Sequence, residues 1–292
     1  MAQKKVLILF GPTASGKSNI ALRISANVKA TIINADSMQI YKNLRILTSR
    51  PSEEDEKKVT HKLYGIKDGK ENCTVVSWLD FAKEEIQKSW NQNTLPILVG
   101  GTGMYLKSLM EGISEIPSIP NSIKLETEEI LKNNGLEYLY SKLTESSKQI
   151  KINKQDTQRI IRAFNVLSFT GKSIEEWQEI NKKILDDVDF EIYLPPIERE
   201  YLYKTSEKRF DEMLEKGVIK EVQGLIEQNL DGACSIMKAI GVREIQAYLN
   251  NELSKDESVK LSKKNTRNYI KRQLTWIRGN NISSNIDIKK YI

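Results

Sequence analysis

The chain has 292 residues, which at about 150 residues per domain suggests two domains. Hydrophobic residues make up 39% of it, enough for a sizeable core, which excludes wholesale disorder. Lys+Arg 45 against Asp+Glu 39 leaves a net charge of +6, a balance that suits a polyanionic partner.

Val6-Leu7-Ile8-Leu9-Phe10 is a continuous apolar run of the kind a buried parallel strand uses. Helical patterning follows from Lys17 to about Asn27, then a second strand at Thr31-Ile32-Ile33. A helical stretch near Phe81 to Trp90 precedes a further strand, Pro96-Ile97-Leu98-Val99. Strand, helix, strand in this rhythm predicts a parallel sheet covered on both faces, an α/β class. After Gly112 the texture changes. The proline-punctuated connector Ser114 to Pro120 opens some sixty residues of charged, 3.6-period helix, interrupted at Gly171-Lys172. Phe190 to Leu194, closed by Pro195-Pro196, reads as a strand returning to the sheet, and the rest from Arg199 is helical, with Gly217 stopping one helix. The expected division is a core part at 1–115, a helical insertion at 116–187 and a mostly helical core part at 188–292.

Cys73 and Cys234 are isolated, which excludes a disulfide framework or a CxxC zinc site and fits a reducing, cytoplasmic setting. His61 is the single histidine and is read as structural, so neither a His-rich metal cage nor a Ser-His-Asp triad is expected. No run of about 18 apolar residues exists to span a membrane. The five apolar residues before Gly11 are too few for a signal peptide. Nothing resembles a coiled-coil seam, and a monomer is expected.

Gly11-Pro12-Thr13-Ala14-Ser15-Gly16-Lys17-Ser18 matches G-x-x-x-x-G-K-[ST], with a strand before it and a helix after. Such a loop turns backbone N–H groups inward at phosphate oxygens, and the helix adds its positive end. Lys17 supplies a mobile charge and Ser18 a ligand for Mg²⁺. The expected fold is therefore a P-loop NTPase-like parallel sheet flanked by helices, with an inserted all-helical module. ATPases and kinases usually hold Mg²⁺ with an Asp after a second apolar strand. Here strand 96–99 ends in Gly100-Gly101-Thr102-Gly103, with no carboxylate, whereas Thr31-Ile32-Ile33-Asn34-Ala35 leads to Asp36. Asp36 is thus open as a metal-site acid, a general base or a helix cap.

Seven stretches in order resemble the tRNA dimethylallyltransferase (isopentenyl-diphosphate:tRNA transferase) family: 11–18, Asp36 to Tyr41, Gly100 to Tyr105, Gln158 to Ala163, Arg209 to Leu214, Ala239 to Glu244 and Lys271 to Arg278. The resemblance covers nearly the whole chain. It implies a cradle that holds dimethylallyl diphosphate and an enzyme that moves the five-carbon group to the N6 amine of the adenosine 3′-adjacent to the anticodon. The tRNAs would be those reading codons that begin with U, and diphosphate would be released. By the same resemblance Asp36 is the base for that amine, while Lys17, Mg²⁺ near Ser18, Thr102 and Arg209 meet the charge on the leaving diphosphate. It also implies tRNA contacts from Asp36, Ser37, Met38, Gln39 and Thr102, and from Lys124, Gln158, Arg159, Ile160, Ile161 and Arg162 on the helical module.

Between Lys263 and Arg278 lie six basic residues and no acidic one. Lys264, Arg267, Lys271 and Arg278 share one helical face, and Ile270, Leu274 and Ile277 form a separate apolar stripe. Such a helix docks on a core and offers charge to RNA phosphate, with Lys271, Arg272 and Arg278 the expected contacts; the stripe is narrow for a membrane surface. Trp276 is open as core or as a base-stacking platform. The chain departs from the family pattern at Arg45 to Pro51, where Thr48 and Pro51 remain but an acid and a glycine are gone, and at Lys151 to Asp156. The competing readings are a P-loop kinase or NTPase, and a noncatalytic RNA-binding module that leaves Lys17, Ser18, Asp36 and Thr102 without a role.

Overall fold

Residues 4–146 and 150–292 are described by a computed structural model. The apolar run forms β1 (Lys4–Phe10), whose last five residues are buried on both faces. It leads through the glycine loop to α1 (Lys17–Asn27) and β2 (Ala30–Asn34). α2 (Glu53–Lys58), capped by Ser52, and β3 (Thr60–Lys62) follow. Neither was legible: β3 is three polar residues at the sheet edge, with no apolar run to mark it. α3 (Val75–Asn91) starts before Phe81 because Thr74 and Ser77 form a reciprocal capping box. β4 (Leu95–Gly100) and α4 (Gly103–Glu111) complete this stretch.

Next come β5 (Ile113–Ser114), α5 (Asn121–Ser146), α6 (Thr157–Thr170), α7 (Ile174–Gln178) and β6 (Asn181–Lys182). β7 (Val188–Tyr193) returns to the sheet, followed by α8 (Arg199–Glu215), α9 (Val218–Ile226), a 3₁₀ turn at Ser235–Lys238, α10 (Val242–Leu249) and α11 (Lys255–Gly279). Gly217 ends α8 in the left-handed region at φ 88°, as expected of a stop. α11 begins well before Lys263 because Ser254 and Glu257 cap it.

The large sheet has the order β3-β2-β4-β1-β7, and every pairing is parallel. Leu7, Leu9, Ile32, Ile97 and Val99 pack with Ala21 and Ile24 of α1 in one core cluster. Trp78, Leu79, Ala82 and Ile86 of α3 are also buried, and Trp78 stacks on Tyr105 with ring centroids 4.5 Å apart. Each such aliphatic or aromatic chain contributes roughly 1.5–3 kcal/mol by leaving water. The outer edge of β7 is covered by the chain near residue 285. There Asn285 donates its N–H to the Ile192 carbonyl and accepts the Ile192 N–H, and Ser284 Oγ accepts from Leu194. Glu191, behind that edge, gathers Lys5, Lys290 and the Tyr291 hydroxyl, which together hold its carboxyl down at about 2 despite burial.

The chain divides into two compact units, Met1–Met110 with Leu185–Ile292, and Glu111–Ile184. The second is wider at its start than the expected 116–187 because β5 and β6 pair antiparallel and close its stem. Gly112, at φ 92°, turns the chain there; a Cβ would lie 2.5 Å from the Lys182 carbonyl oxygen. Within this unit Leu139, Leu143, Ile160, Ala163 and Phe164 make a separate core. Gly135 at φ 80° kinks α5.

Candidate active site

Sheet register places the site. Phe10 pairs with Gly100 and Asn34 with Val99, so the loops after β1, β2 and β4 leave the same edge side by side. In the first loop Ala14 (φ 63°) and Gly16 (φ 81°) are both left-handed, which curls the backbone around a hollow. The N-terminus of α1 has no side-chain cap, so its N–H groups remain available to an anion. Lys17 folds back to donate to the Pro12 carbonyl at 2.6 Å and to Ser15 Oγ at 3.2 Å. Burial pushes its ammonium down to about 7; Asp36 pulls the other way and Arg209 adds to the fall.

Asp36 sits on a turn built by its neighbours. Fully buried Asn34 accepts the Asp36 N–H at 2.8 Å and donates to the Asp36 and Leu63 carbonyls. Asp36 Oδ1 accepts from Met38 N at 2.9 Å and Gln39 N at 3.4 Å, an Asx turn rather than a helix cap, since no helix follows. Gln39 donates to the Thr48 and Ser49 carbonyls. Thr102 Oγ1 accepts the Ser37 N–H at 3.0 Å and lies 3.4 Å from Ser37 Oγ. Its hydroxyl is therefore turned to the Asp36 loop and is not among the groups lining the cavities described next. The missing carboxylate after β4 has a steric reason. A Cβ at Gly100 would fall 2.0 Å from the Ala35 carbonyl oxygen, so no side chain fits there.

α8 and α11 close the site. Arg209 donates through Nη2 to Thr13 Oγ1, and its Nε is buried without a partner among the described residues. Burial opposes its charge while Asp36 supports it. A cavity of about 330 Å³ is lined by the glycine loop, Asp36, Gly101, Tyr201, Arg209 and Gln273. A second, of about 230 Å³, shares Thr13, Asp36 and Arg209 with it and is walled by Met38, Leu47, Phe210, Met213, Ile240 and Tyr269. A third, of about 530 Å³, adjoins Ser18 and Arg209 on the side of Leu22, Ile32, Arg45, Arg50 and His61. His61 donates through Nδ1 to the Val59 carbonyl at 2.9 Å and burial lowers its pKa, in keeping with a structural residue.

Two residues of this site had no role in the sequence reading. Gln273 is buried on α11, where its Oε1 accepts the Thr13 N–H at 2.9 Å and its Nε2 donates to the Gly101 carbonyl at 3.1 Å. A signal existed: it is a polar residue inside the stripe of Ile270, Leu274 and Ile277. Glu221 of α9 accepts three successive backbone N–H groups, from Arg45 at 2.6 Å, Ile46 at 2.7 Å and Leu47 at 2.8 Å. It fixes the 45–51 segment in which the family's acid and glycine are missing, and Leu47 lies against Gly241, where a Cβ would be 2.6 Å from Leu47 Cδ1. No local pattern pointed to Glu221.

The residues expected to meet tRNA divide into exposed and buried. On α11, Lys264, Lys271, Arg272 and Arg278 are exposed, and Arg272 lies over the Tyr269 ring at 5.6 Å. Arg267 does not belong with them, because Glu207 of α8 pairs with it, and Lys263 pairs with Asp211 at 2.6 Å. Trp276, half-buried, meets Phe10 edge-on at 5.5 Å and lies against Gly103, so it packs against the sheet. In the helical unit Lys124, Gln158, Arg159 and Arg162 are exposed or half-exposed. Ile160 is fully buried and Ile161 packs on the same core, which corrects their expected place at an RNA surface: they are the apolar face of α6.

The exposed Ser18 hydroxyl at the start of α1 is one hard oxygen donor. Among the described residues no group of three or more His, Cys, Asp or Glu side chains gathers to hold a metal. The donor set thus fits a divalent ion bound with a diphosphate and water, and does not make an all-protein cage.

The family model described as IPP transferase matches residues 39–280. The chain belongs to this family. A tRNA dimethylallyltransferase of Pelagibacter ubique is 39% identical over 278 residues, covering 94% of this chain and 89% of that protein. One of Zymomonas mobilis is 40% identical over 280 residues, covering 94% and 87%. Among solved structures, a eukaryotic dimethylallyltransferase acting on tRNA superposes with a TM-score of 0.81 at 26% identity, covering 94% of this chain and 70% of that one. These alignments reach beyond the 39–280 match, so the family likeness includes most of the chain. No helix among the described residues is long and apolar enough to cross a membrane.

Proposed function

We propose that the protein transfers a dimethylallyl group from dimethylallyl diphosphate to the N6 amine of the adenosine 3′-adjacent to the anticodon of tRNA. The observation that carries this is the pair of cavities that share Thr13, Asp36 and Arg209: one is a phosphate cradle, the other a partly apolar chamber. The diphosphate lies in the cradle against the loop N–H groups, Lys17 and Arg209. The partly apolar chamber receives the prenyl group and the purine, where Met38, Leu47 and Phe210 exclude water.

In the reaction the N6 lone pair attacks C1 of the prenyl group as the C1–O bond breaks, and that electron pair leaves with the diphosphate. The amine proton passes to Asp36. Oδ1 is engaged by the turn, so Oδ2 is the oxygen available to take it. Fixed donors opposite the leaving oxygens favour the transition state because they need no reorganisation. Arg209 is aimed there by Thr13. Thr102 holds the Asp36 turn through Ser37. A Mg²⁺ ion bound with the substrate at Ser18 would neutralise diphosphate charge. The unit Glu111–Ile184 grips tRNA through Lys124, Gln158, Arg159 and Arg162, while the exposed cations of α11 follow its phosphates. A cytoplasmic setting and a monomeric state belong to the same proposal.

Incubation of the protein with dimethylallyl diphosphate, Mg²⁺ and unmodified tRNA tests the proposal. Nucleoside mass analysis is expected to find an adenosine gaining five carbons; ATP consumed with no such product would show a kinase or NTPase instead.

A further inference from the structure

We propose that Gln273 is the positioning residue that sets the spacing between the diphosphate cradle and the Asp36 turn; this rests on the reading of the site given above. The cradle and the turn are separate loops, one after β1 and the other after β2. They reach each other through the glycine turn after β4. Thr102 of that turn holds Ser37 at 3.0 Å, and its N–H reaches the Ala35 carbonyl at 3.4 Å. Past the β1–β4 pairing of Phe10 with Gly100, one buried amide ties the glycine turn to the cradle. Thr13 can only donate its N–H and Gly101 can only accept through its carbonyl, so the carboxamide has a single satisfying orientation, Oε1 to Thr13 and Nε2 to Gly101. The fit is tight, since a Cβ on Gly101 would come within 2.4 Å of Nε2.

Thr13 is held from both sides by this arrangement. Its N–H goes to α11 and its hydroxyl to Arg209 of α8. The leaving group's donors and the base's turn therefore share one reference point, on a helix fixed in the core by Ile270, Leu274 and Ile277, with Trp276 edge-on to Phe10. A small change in that spacing moves the amine relative to C1, and orientation of this kind governs turnover more than affinity.

Two variants of the full chain separate the role from simple stability. Gln273→Met keeps the size and removes both hydrogen bonds. Gln273→Glu keeps the shape but at neutral pH offers the Gly101 carbonyl no donor. Both are expected to lower kcat about tenfold to a hundredfold, the usual result of a buried partner left unmade, with KM for tRNA within about twofold. Acidification protonates the carboxyl introduced by Gln273→Glu and restores a donor and an acceptor. The kcat ratio of this variant to wild type is then expected to rise severalfold between about pH 8 and pH 6, while the Gln273→Met ratio stays flat. The charged and titratable groups around position 273 are Lys17, Asp36, Tyr201 and Arg209, with Tyr269 and Arg272 on its own helix. All are common to the three proteins, and the Gln273→Met ratio reads their own titration, so a rise confined to Gln273→Glu belongs to the introduced carboxyl and its coupling to them.

Amide exchange at Thr13, which needs no turnover, is expected to quicken in Gln273→Met about tenfold or more while protection along α11 persists. Full kcat in Gln273→Glu at pH 8, a flat ratio against pH, or unchanged Thr13 exchange would each overturn the proposal. A wild-type chain that transfers no prenyl group would remove the functional reading, and the exchange experiment would still decide whether Gln273 ties the two loops.

Discussion

At the carboxyl edge of the large sheet, polar side chains hold the backbone of the loops. Asn34 carries the Asp36 backbone, Asp36 its own turn, Thr102 the next residue, Gln273 the glycine loop and Glu221 the segment 45–47. In the helical unit the buried positions are mostly aliphatic, Leu139, Leu143 and Ile160 among them, and the candidate contact residues Gln158, Arg159 and Arg162 reach solvent. The first arrangement fixes geometry, so a single lost atom alters chemistry. The second offers charge on flexible stems, so its losses are graded, nearly additive and weakened by salt.

The sharpest way to break this contrast is Asp36→Asn, which keeps an Oδ1 acceptor for the turn and removes the base. Turnover is expected to fall by about 10² to 10⁴, the usual worth of a general base, with tRNA binding close to wild type. Single-turnover rates set beside filter binding would check it, and a fully active variant would take Asp36 out of the mechanism. Next in size is Ile160→Ala, which opens a cavity in the helical unit and is expected to cost about 2–5 kcal/mol. Hydrogen exchange should rise across α5 and α6 while β1 and β4 stay protected; equal loss in both units would show that they do not unfold separately.

Lys17 gives a pH signature. Its ammonium, lowered to about 7, is charged below that value and neutral above it, and the charged form is the one that binds diphosphate. The KM for dimethylallyl diphosphate should therefore climb above about pH 7, by up to about tenfold per pH unit, with proton uptake on binding. Calorimetry in buffers of different ionisation heat would detect that uptake, and its absence would place Lys17 in its charged form throughout. The smallest effects are expected on α11. Lys271→Ala should lower the salt slope of tRNA binding by about one unit. Arg267→Ala should change the slope less, because Glu207 already neutralises it, and a partly exposed pair of this kind contributes about 0–1 kcal/mol to stability. Equal slopes for the two variants would show that the ion pair opens on RNA.

What was legible follows the same division. β1, the glycine loop, Asp36 and the turn after β4 announce themselves within a few residues, because an apolar run followed by Gly or Asp is a local pattern. Gln273 is marked locally as a polar residue in an apolar stripe, but its partner Thr13 lies 260 residues away and Leu47 lies 174 from Glu221, and no spacing rule reaches that far. The same holds for β5 and β6, two residues each and far apart in the chain, and for Arg267, whose partner Glu207 lies on another helix. Ile160 and Ile161 sit between arginines, which suggests an RNA surface; the 3.6-residue period turns them inward.

The covering of β7 by residues 284 and 285 has a consequence for how the protein behaves at high concentration. An open edge strand is a template for any other extended chain, and sheets with such edges stick to one another. Here the amide of Asn285 and the hydroxyl of Ser284 occupy the hydrogen-bonding positions a sixth strand would use, without supplying a strand whose own far side could be paired. Truncation ahead of Ser284 should uncover that rim and make the protein prone to self-association, most visibly while a newly made chain is still folding.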